Sequence, residues 1–358
     1  MYNPQMLDGS TTAAAEATGG TGNLPSIRVV IPVRNAETTL RACLRSVIEC
    51  DYPRKSVWVV NDGSDDATAT ILGEFPEIKV LHVKAIGASA ARNLAISSAD
   101  EDIIAFTDSD CVVRRDWLRE LVACLMETGV TGAGGPQLPV QEQPIFARRL
   151  HAFLAAICFV GDYMRVGHGK HPVQHIPSCN AAYWRRAVQS IGGFRPGLFP
   201  GEDMDLDRRL VLAGHRIIYT PAAVVCHHRA ETMGEYVRMS VGYGLAQGYL
   251  VRIHGPFRML HVLPAIAAIG GLGWAWLMAA SPAIGIAVAL AAALMILSFL
   301  AGRVHPPLDI GWLMLLLLIT VPTWNAGFLL GLVVGFRNPV TGSGWGNAEN
   351  EDTAHQRP

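Results

Sequence analysis

Two carboxylates stand two residues apart at Asp108 and Asp110, directly after the apolar run Ile103–Phe106. Such charges repel each other unless a cation relieves them, and hard divalent ions such as Mg²⁺ or Mn²⁺ bind oxygen ligands. A metal held there could bind a diphosphate and neutralise the charge that builds up as the diphosphate leaves. Taken alone, the pattern is weak evidence, because acidic pairs in loops are often merely solvated or cap a helix.

A second acidic loop at residues 61–65 also follows an apolar run. Gly63 permits a sharp turn that would direct the Asp62 carboxylate into the same cleft as the first pair. A carboxylate there can accept hydrogen bonds from a ribose hydroxyl or a base N–H. The alternative is a turn in which Ser64 or Asp65 caps a helix, and both interpretations can hold together.

Short apolar runs rich in β-branched residues alternate with helical patterns in the first third of the chain. The runs cover residues 27–31, 57–60, 80–83 and 103–106, and a helical pattern covers about 88–98. Apolar strands separated by helices predict an α/β domain with a mostly parallel sheet covered on both faces. Ligands bind such sheets outside the carboxyl ends of the strands, which is where both acidic loops lie.

Five motifs follow one another in order along residues 27–230. They are Ile31-Pro32-Val33-Arg34-Asn35, Val60-Asn61-Asp62-Gly63-Ser64-Asp65, Gly87-Ala88-Ser89-Ala90-Ala91-Arg92-Asn93, Asp108-Ser109-Asp110, and Gly192-Gly193-Phe194 with Gly201-Glu202-Asp203-Met204-Asp205-Leu206. Together they resemble the family 2 glycosyltransferases with the GT-A fold. The resemblance implies a Rossmann-like nucleotide-binding domain, a nucleotide-sugar donor, and Mg²⁺ or Mn²⁺ as the metal.

The resemblance also implies roles for individual residues. The nucleotide site would include Pro32, Arg34, Asp62, Arg92 and Asp108. Asp108 and Asp110 would contact donor and metal, with Asp110 the closer ligand. Asp203 would be the general base, with Glu202, Gly193 and Phe194 on the acceptor side.

The role that the resemblance implies for Asp203 is one that the reaction requires. An alcohol is a poor nucleophile at neutral pH, and a positioned carboxylate can remove its proton as the new bond forms. A single base opposite the leaving nucleotide gives one displacement, with inversion. The alternative is that Glu202 and Asp203 are helix first-turn acids favoured by the dipole, followed by an Asp205–Arg209 pair.

Two adjacent histidines, His227 and His228, follow the strand-like run at residues 223–225. Neighbouring side chains of a strand point to opposite faces, so we expect one of them to face the site. The resemblance implies a metal- or phosphate-facing histidine here, and we favour His228 slightly over His227. A surface or simply hydrogen-bonded histidine is the alternative.

The hydrophobic half of the composition is concentrated in the last third of the 358-residue chain. Apolar stretches at about 259–279, 282–300 and 310–336 each approach the ~20 residues that span a bilayer, so we predict three transmembrane helices. A juxtamembrane helix at 231–258 would precede them, and disordered tails would flank the whole at 1–26 and 337–358. A buried hydrophobic domain or a re-entrant hairpin is the alternative.

Positive residues beside the spans predict the orientation. Arg252 and Arg258 precede the first span, and Arg303 lies between the second and the third. We therefore predict a multi-pass protein of the cell (inner) membrane whose catalytic domain is cytoplasmic, although Arg337 after the last span opposes this weakly.

Composition excludes several classes of protein. The net charge of −1 and the lack of a Lys/Arg-rich run exclude nucleic acid as an expected partner. The seven cysteines are scattered, without a C-x-x-C pair, which predicts reduced thiols and neither a disulfide framework nor a zinc site.

The leading hypothesis is a metal-dependent inverting transferase that moves a single sugar to a lipid or lipid-linked acceptor at the cytoplasmic membrane face. Processive synthases of this family carry Q-x-x-R-W, whereas Gln247 and Arg252 here have the wrong spacing and no following Trp. Asn61 stands where many relatives have an Asp, which leaves the base of the nucleotide open. A nucleotidyltransferase is one alternative, although its Gly-rich, Lys-bearing loop is missing. A non-catalytic membrane scaffold is another, and the intact acids argue against it.

Overall fold

A computed structural model describes residues 24–140, 142–157, 169–301 and 310–334 of the chain. Most of the first predicted tail and all of the second lie outside the described residues, as do Cys158, Arg303 and Arg337.

An eight-stranded, mostly parallel sheet forms the centre of the first domain, with strand order β3-β2-β1-β4-β9-β6-β10-β8. Its strands are β1 (Ile27–Val33), β2 (Lys55–Asp62), β3 (Lys79–Val83), β4 (Ile103–Phe106), β6 (Val130–Gly134), β8 (His171–Val173), β9 (Ala181–Trp184) and β10 (Arg216–Tyr219). β1 pairs in parallel with β2 on one side and with β4 on the other. The predicted α/β domain with a mostly parallel sheet is therefore confirmed.

Among the described residues, a three-stranded sheet and seven α-helices complete this domain. The small sheet contains β5 (Cys111–Val113), β7 (Gln137–Pro139) and β11 (Val225–His227), in the order β5-β11-β7. The helices are α1 (Leu40–Ile48), α2 (Thr68–Leu72), α3 (Ala88–Ser97), α4 (Trp117–Leu125), α5 (Ile145–Ala156), α6 (Arg185–Ser190) and α7 (Glu202–Leu212).

Apolar cores cover both faces of the large sheet, which explains why its strands are apolar throughout. On β1, Val29 and Ile31 join the core that contains Leu40 of α1. Val30, between them, joins the opposite core, which contains Ile96 of α3. This burial fixes the register of the strands and therefore the positions of the loops at their carboxyl ends.

Four further helices follow: α8 (Met233–His254), α9 (Leu263–Ala280), α10 (Pro282–Ala301) and α11 (Ile310–Val334). Two helical segments, Met259–Ala280 and Gly311–Val334, are long and apolar enough to cross a membrane. The apolar run 282–298 between them is shorter. We predicted three membrane spans, and two segments in the described part of the chain are long and apolar enough to be spans.

The two candidate spans have different surroundings. No residue in the most apolar part of Met259–Ala280 is buried, and α9 packs mainly on α10. α11 instead packs along α8. A Cβ at Gly244 of α8 would lie 2.0 Å from the carbonyl oxygen of Trp324, and one at Gly327 of α11 would lie 2.1 Å from that of Val241. Glycine is therefore required where these two backbones meet, as in membrane helix pairs that use small residues.

Candidate active site

The carboxyl ends of β1, β2 and β4 meet at one edge of the large sheet, on both sides of the point where the strand order reverses. A cleft of about 570 Å³ opens there. It brings together most of the predicted site residues: Pro32, Arg34, Asp62, Arg92, Asp108, Asp110, Glu202 and Asp203.

Asp62 at the end of β2 is 5% exposed, and its carboxylate binds the backbone that leads into α3. It accepts hydrogen bonds from the backbone N–H of Ile86 at 2.5 Å and of Gly87 at 2.9 Å. Gly63 has φ +70°, which provides the sharp turn that the sequence requires. A carboxylate has about four acceptor positions, so Asp62 can still accept from a ligand in the cleft. Its contact with a nucleoside stays a prediction.

Arg92 of α3 is 3% exposed and forms ion pairs with carboxylates from two other elements. It donates to Asp108 after β4 at 2.9 Å and to Glu202 at the start of α7 at 2.8 Å. The ring of Phe194 lies below its guanidinium, with 5.4 Å from Cζ to the centroid. Arg92 therefore joins the two sides of the cleft through both of its terminal nitrogens, whereas its buried Nε has no hydrogen-bond partner among the described residues.

The two carboxylates beside Arg92 are hard to ionise. Burial raises the pKa of Glu202 to about 7, with Arg92 opposing the shift and Asp203 adding to it. Burial likewise raises the pKa of Asp108, against the influence of Arg92. For Asp110, burial acts in the same direction, but the neighbouring His227 outweighs it and holds the pKa of Asp110 below its usual value. Asp110 is thus the carboxylate of the pair that is better suited to bind a cation.

A histidine faces Asp110 with a defined nitrogen. Nε2 of His227 lies 3.3 Å from Oδ2 of Asp110. Its Nδ1 lies 3.2 Å from Oε1 of Gln137, which also accepts from Arg229 at 2.8 Å. Because Arg229 is always a donor, this Gln137 atom is the acceptor, and Nδ1 of His227 must carry its proton. Nε2 is then the nitrogen that faces Asp110: it donates to this carboxylate when His227 is protonated, and after loss of that proton it would offer its lone pair to a bound metal.

The structure turns His227 toward Asp110, whereas the sequence favoured His228. His228 contributes its backbone N–H, which donates to the carbonyl of Asp110 at 3.1 Å. Within the described part of the chain, the cleft lining includes His227 but not His228. The alternation of side chains along β11 predicts that one of the two faces the site, but it does not say which.

Two thiols lie beneath this pair. The ligand atoms of Cys111, Cys179 and His227 all lie within 4.8 Å of one another. The described cysteines are free, and this cluster is invisible in the sequence because Cys111 and Cys179 are far apart along the chain. Burial raises the pKa of the Cys111 thiol, so it stays neutral beside the two carboxylates. Neutral sulfur is a poor ligand for a hard ion, which leaves the oxygen ligands of the cleft for Mg²⁺ or Mn²⁺.

Asp203 lies in the cleft on the side opposite to Asp62. Its side chain is 23% exposed, and Oδ2 accepts from the backbone N–H of Ser178 at 3.3 Å. Glu202, next to it, points the other way into its pair with Arg92. Of the two adjacent acids, Asp203 therefore has the open carboxylate.

Gly193 and Phe194, predicted on the acceptor side, lie beneath the cleft. Phe194 is 1% exposed and packs edge-on against Phe106, with ring centroids 5.2 Å apart. Asn93 exchanges two hydrogen bonds with the backbone of Phe194, and a Cβ at Gly193 would lie 2.5 Å from Oδ1 of Asn93. The motif thus fixes the turn that supports Arg92 from below.

The wall on the predicted acceptor side, called the acceptor wall below, comes from the parts of the chain that the sequence predicts as a juxtamembrane helix and membrane spans. It contains Tyr243, Ala246, Gln247, Arg258, Leu260 and Trp324. Trp324 belongs to α11, where an apolar sequence indicates a membrane span but gives no sign of contact with a cleft. His175, Gln137 and Arg229 were missed as well, because each lies outside a recognisable motif.

Comparison with known proteins agrees with this geometry. Residues 28–192 match the family described as "Glycosyl transferase family 2". The chain is 31% identical over 224 residues to a pre-mycofactocin glycosyltransferase of Mycobacterium tuberculosis, covering 61% of this chain and 46% of that protein. It is 28% identical over 235 residues to the glycosyltransferase AglE of Haloferax volcanii, covering 63% of this chain and 74% of AglE. The chain thus spans about half the length of the mycobacterial relative.

Among solved structures, the mannosyltransferase PcManGT from Pyrobaculum calidifontis, in complex with GDP-Man and Mn²⁺, is similar in fold. The TM-score is 0.63 at 18% identity, covering 87% of this chain and 88% of PcManGT. Residues 28–192 therefore match the family 2 glycosyltransferases, the first domain is GT-A-like in fold, and both findings support the predicted class of enzyme, a transferase.

The buried ion pairs of Arg92 give a test of the site's architecture. Arg92→Gln removes a cation from two buried carboxylates, a change that typically costs about 3 to 5 kcal/mol. We expect the lower end, because Glu202 can take up a proton. The pKa of Glu202 in the folded protein is raised from 4.5 to about 7. Because this buried carboxyl group loses its proton as the pH rises through about 7, its contribution to the stability of the fold is lost over the same range. Denaturant unfolding should therefore show a larger deficit for the variant at pH 8 than at pH 6.

The matched control is Arg41→Gln, which breaks the exposed pair with Glu74. Screening by water makes such pairs weak, so little change in stability is expected at either pH. Equal stability losses in the two variants would show that Arg92 does not hold the cleft together.

Proposed function

We propose that this protein is a metal-dependent inverting glycosyltransferase that moves a single sugar from a nucleotide-sugar to a lipid or lipid-linked acceptor at the cytoplasmic membrane face. The observation that carries the proposal is the composition of one cleft. Asp110 and His227 lie on the nucleotide side, Asp203 lies opposite, and helices next to the apolar segments form the remaining wall.

Asp110 and His227 would hold Mg²⁺ or Mn²⁺, with Asp108 beside them. The fit is supported by Nε2 of His227, which lies 3.3 Å from Oδ2 of Asp110, so that both atoms could bind the same ion. Mn²⁺ in the PcManGT complex, a protein of similar fold, agrees with this assignment. When bound, the metal would neutralise the diphosphate that leaves the donor.

The remaining donor contacts divide into direct and indirect ones. Pro32 and Arg34 follow the buried part of β1, and the exposed Arg34 can reach a phosphate at the rim. Asp62 would accept from the nucleoside. Arg92 acts indirectly in this proposal, since both arms of its guanidinium are occupied by Asp108 and Glu202. It would position Asp108.

Asp203 would be the base that removes the proton of the acceptor hydroxyl. Its open carboxylate, across the cleft from Asp110, supports this assignment over Glu202. Attack from that side, opposite the leaving nucleotide, gives a single displacement with inversion at the anomeric carbon. The other carboxylates among the described residues of the cleft are Asp62, Asp108, Asp110 and Glu202, and in this proposal each of them already serves the nucleoside, the metal or Arg92.

The acceptor wall supports a partly apolar acceptor. Leu260 and Trp324 present apolar surface, and Arg258 presents a guanidinium whose hydrogen bond goes to the thioether of Met204 at 3.2 Å. A thioether is a weak acceptor, so Arg258 remains able to bind an anionic group. An acceptor with an apolar chain and an acidic head would match this wall.

The packing of α8 on α11 constrains the path through the membrane. α8 carries Glu235, Arg238 and Arg252 and lines the cleft, so it belongs with the catalytic domain outside the hydrocarbon, and α11 packs along it. We therefore propose that α11, although long enough to cross, lies at the membrane surface. In this path α9 and α10 cross and return as a hairpin, for which the 20 residues of α10 suffice. Large apolar side chains are exposed on all three helices, among them Ile269, Leu272, Trp276, Leu290, Leu294, Leu318 and Val333.

This two-pass path also accounts for the charges. Three spans would place Arg337 on the opposite side from Arg252 and Arg258, against the usual bias. With two spans, Arg303 and Arg337 are both cytoplasmic, like the catalytic domain. The proposed location is then the inner membrane.

Donor binding tests the metal site. With Mn²⁺ present, the nucleotide-sugar that fits should raise the melting temperature of the parent. Asp110→Asn loses a metal ligand, so its affinity for this donor should fall by about tenfold or more. The matched control is Asp65→Asn, which removes an exposed carboxylate that does not line the cleft. This variant should behave like the parent. An undiminished response in Asp110→Asn would rule out its metal role.

Labelling tests the two-pass path. Ser281 joins α9 and α10, and it should lie on the outer side of the membrane. In intact cells, Ser281→Cys should react with a membrane-impermeant maleimide, while Arg238→Cys on α8 should react only after lysis. Reaction of Arg238→Cys in intact cells would invert the proposed orientation, and protection of both positions would argue against a crossing hairpin.

A further inference from the structure

Two thiols, an imidazole and a carboxylate converge beneath the metal side of the cleft. The ligand atoms of Cys111, Cys179 and His227 all lie within 4.8 Å of one another. Asp110 completes the group, because its Oδ1 lies 3.8 Å from Sγ of Cys111 and its Oδ2 lies 3.3 Å from Nε2 of His227. These four residues, called the thiol cluster below, join two soft ligands to two of the residues assigned above to Mg²⁺ or Mn²⁺.

The separations within the thiol cluster approach those of a tetrahedral zinc site. Zinc binds sulfur at about 2.3 Å, histidine nitrogen at about 2.0 to 2.1 Å and carboxylate oxygen at about 2.0 to 2.2 Å. Around a tetrahedral ion, these bond lengths place neighbouring ligand atoms about 3.3 to 3.8 Å apart. Both contacts of Asp110 already have such lengths. The remaining ligand atoms would need to approach one another by roughly 1 Å at most to match this geometry.

The backbone holds these ligands in place. Cys111 of β5 and His227 of β11 are directly opposite each other in the small sheet, so their side chains leave it on the same face. The carbonyl oxygen of Cys179 accepts from the hydroxyl of Thr107 at 3.0 Å, which fixes the turn before β9. Three separate parts of the chain thus converge on one point. The spacing of the cysteines along the sequence therefore predicts no zinc site, although the fold brings the ligands together.

The imidazole of His227 has the orientation of a zinc ligand. Its Nδ1 donates to Oε1 of Gln137 at 3.2 Å, which makes Nε2 the nitrogen that can bind an ion. Zinc-binding histidines usually donate their other ring N–H to an oxygen in this manner. Gln137 is fixed in turn, because the same oxygen accepts from Arg229 at 2.8 Å.

We propose that the thiol cluster is a binding site for a thiophilic divalent cation of the Zn²⁺ type, and that this site overlaps the Mg²⁺ or Mn²⁺ site. The overlap rests on the proposed function of Asp110 and His227. Thiolates favour Zn²⁺, whereas carboxylate and phosphate oxygens suit Mg²⁺ and Mn²⁺. Asp110 and His227 cannot serve both ions at once, so bound Zn²⁺ would exclude the catalytic metal and stop sugar transfer.

The ion would reach the thiol cluster through the cleft. Cys179, His227 and Asp110 all line the cleft, and Cys111 is fully buried behind them. Binding forms two metal–sulfur bonds as the S–H bonds of both cysteines break, and the two protons go to water. No electrons are transferred. The two thiolates offset the charge of the ion, as burial of a cation requires.

The direct test is to titrate the full-length protein in detergent with Co²⁺, in the presence of a phosphine reductant. Cobalt can replace zinc at tetrahedral sites, and thiolate ligands give it a charge-transfer absorption that oxygen and nitrogen ligands do not. We expect this absorption in the parent and its loss on addition of Zn²⁺, which thiolates favour. Cys111→Ser and Cys179→Ser should each lose most of it.

Cys124→Ser is the matched control. Cys124 is also fully buried but lies on α4, outside the thiol cluster, so this variant should keep the absorption of the parent. Absorption of undiminished strength in Cys111→Ser and Cys179→Ser would place the ion elsewhere and overturn the proposal. The lack of any thiolate absorption in the parent would overturn it as well.

Alkylation of the parent keeps the proposal falsifiable if the serine variants do not fold. Zn²⁺, but not Mg²⁺, should slow the reaction of Cys179 with a maleimide, as mapped by mass spectrometry. Equal rates with the two ions would contradict a zinc site at this cysteine.

Inhibition tests the overlap with the catalytic metal. Zn²⁺ should inhibit transfer by the parent, and more Mn²⁺ should raise the Zn²⁺ concentration that is required. Relative to its own rate without zinc, Cys179→Ser should need at least about tenfold more Zn²⁺, since even loss of a supporting contact typically weakens metal binding by this factor. Cobalt–thiolate absorption combined with equal zinc inhibition in Cys179→Ser would rule out the overlap. If the parent transfers no sugar at all, the proposed function fails, and the Co²⁺ titration still decides whether the thiol cluster binds metal.

Discussion

The site depends on one buried guanidinium. Arg92 holds Asp108 at the end of β4 and Glu202 at the start of α7, two acids that are far apart in sequence and belong to opposite sides of the cleft. A cation at that point lets two carboxylates lie close together away from water, which neither could do alone. Arg92 also distinguishes Glu202 from Asp203: the carboxylate of Glu202 is held in the buried ion pair, and the carboxylate of Asp203 faces the cleft.

A second constraint comes from the close contact of α8 with α11. Glycines at the crossing let the two backbones approach each other, and this brings Trp324 of an apolar helix to the wall of a polar cleft. In a chain with exposed apolar helices, such a contact links the membrane-facing part directly to the place where an acceptor would lie. An acceptor that resides in the bilayer would then reach Asp203 without leaving the membrane surface.

The sequence predicts the parts of the molecule that obey local rules. Apolar strands that end in acidic loops predict the sheet and place Asp62, Asp108 and Asp110 at one edge, because strand ends converge there. It does not predict what depends on contacts over long distances. The orientation of His227 toward the site depends on Gln137 and Arg229. The burial of Phe194 depends on its hydrogen bonds with Asn93. The acceptor wall depends on packing between helices whose sequences show only that they are hydrophobic.

The most direct test of the account is to measure transfer by the parent and by Asp203→Asn, with Mn²⁺, a panel of nucleotide-sugars and bacterial membrane lipid. The account predicts that the parent releases nucleoside diphosphate and forms a glycoside with inverted anomeric configuration by NMR. Asp203→Asn should bind the same donor but form at least 100-fold less product per unit time. A product of retained configuration, release of pyrophosphate instead, or undiminished turnover by Asp203→Asn would contradict it.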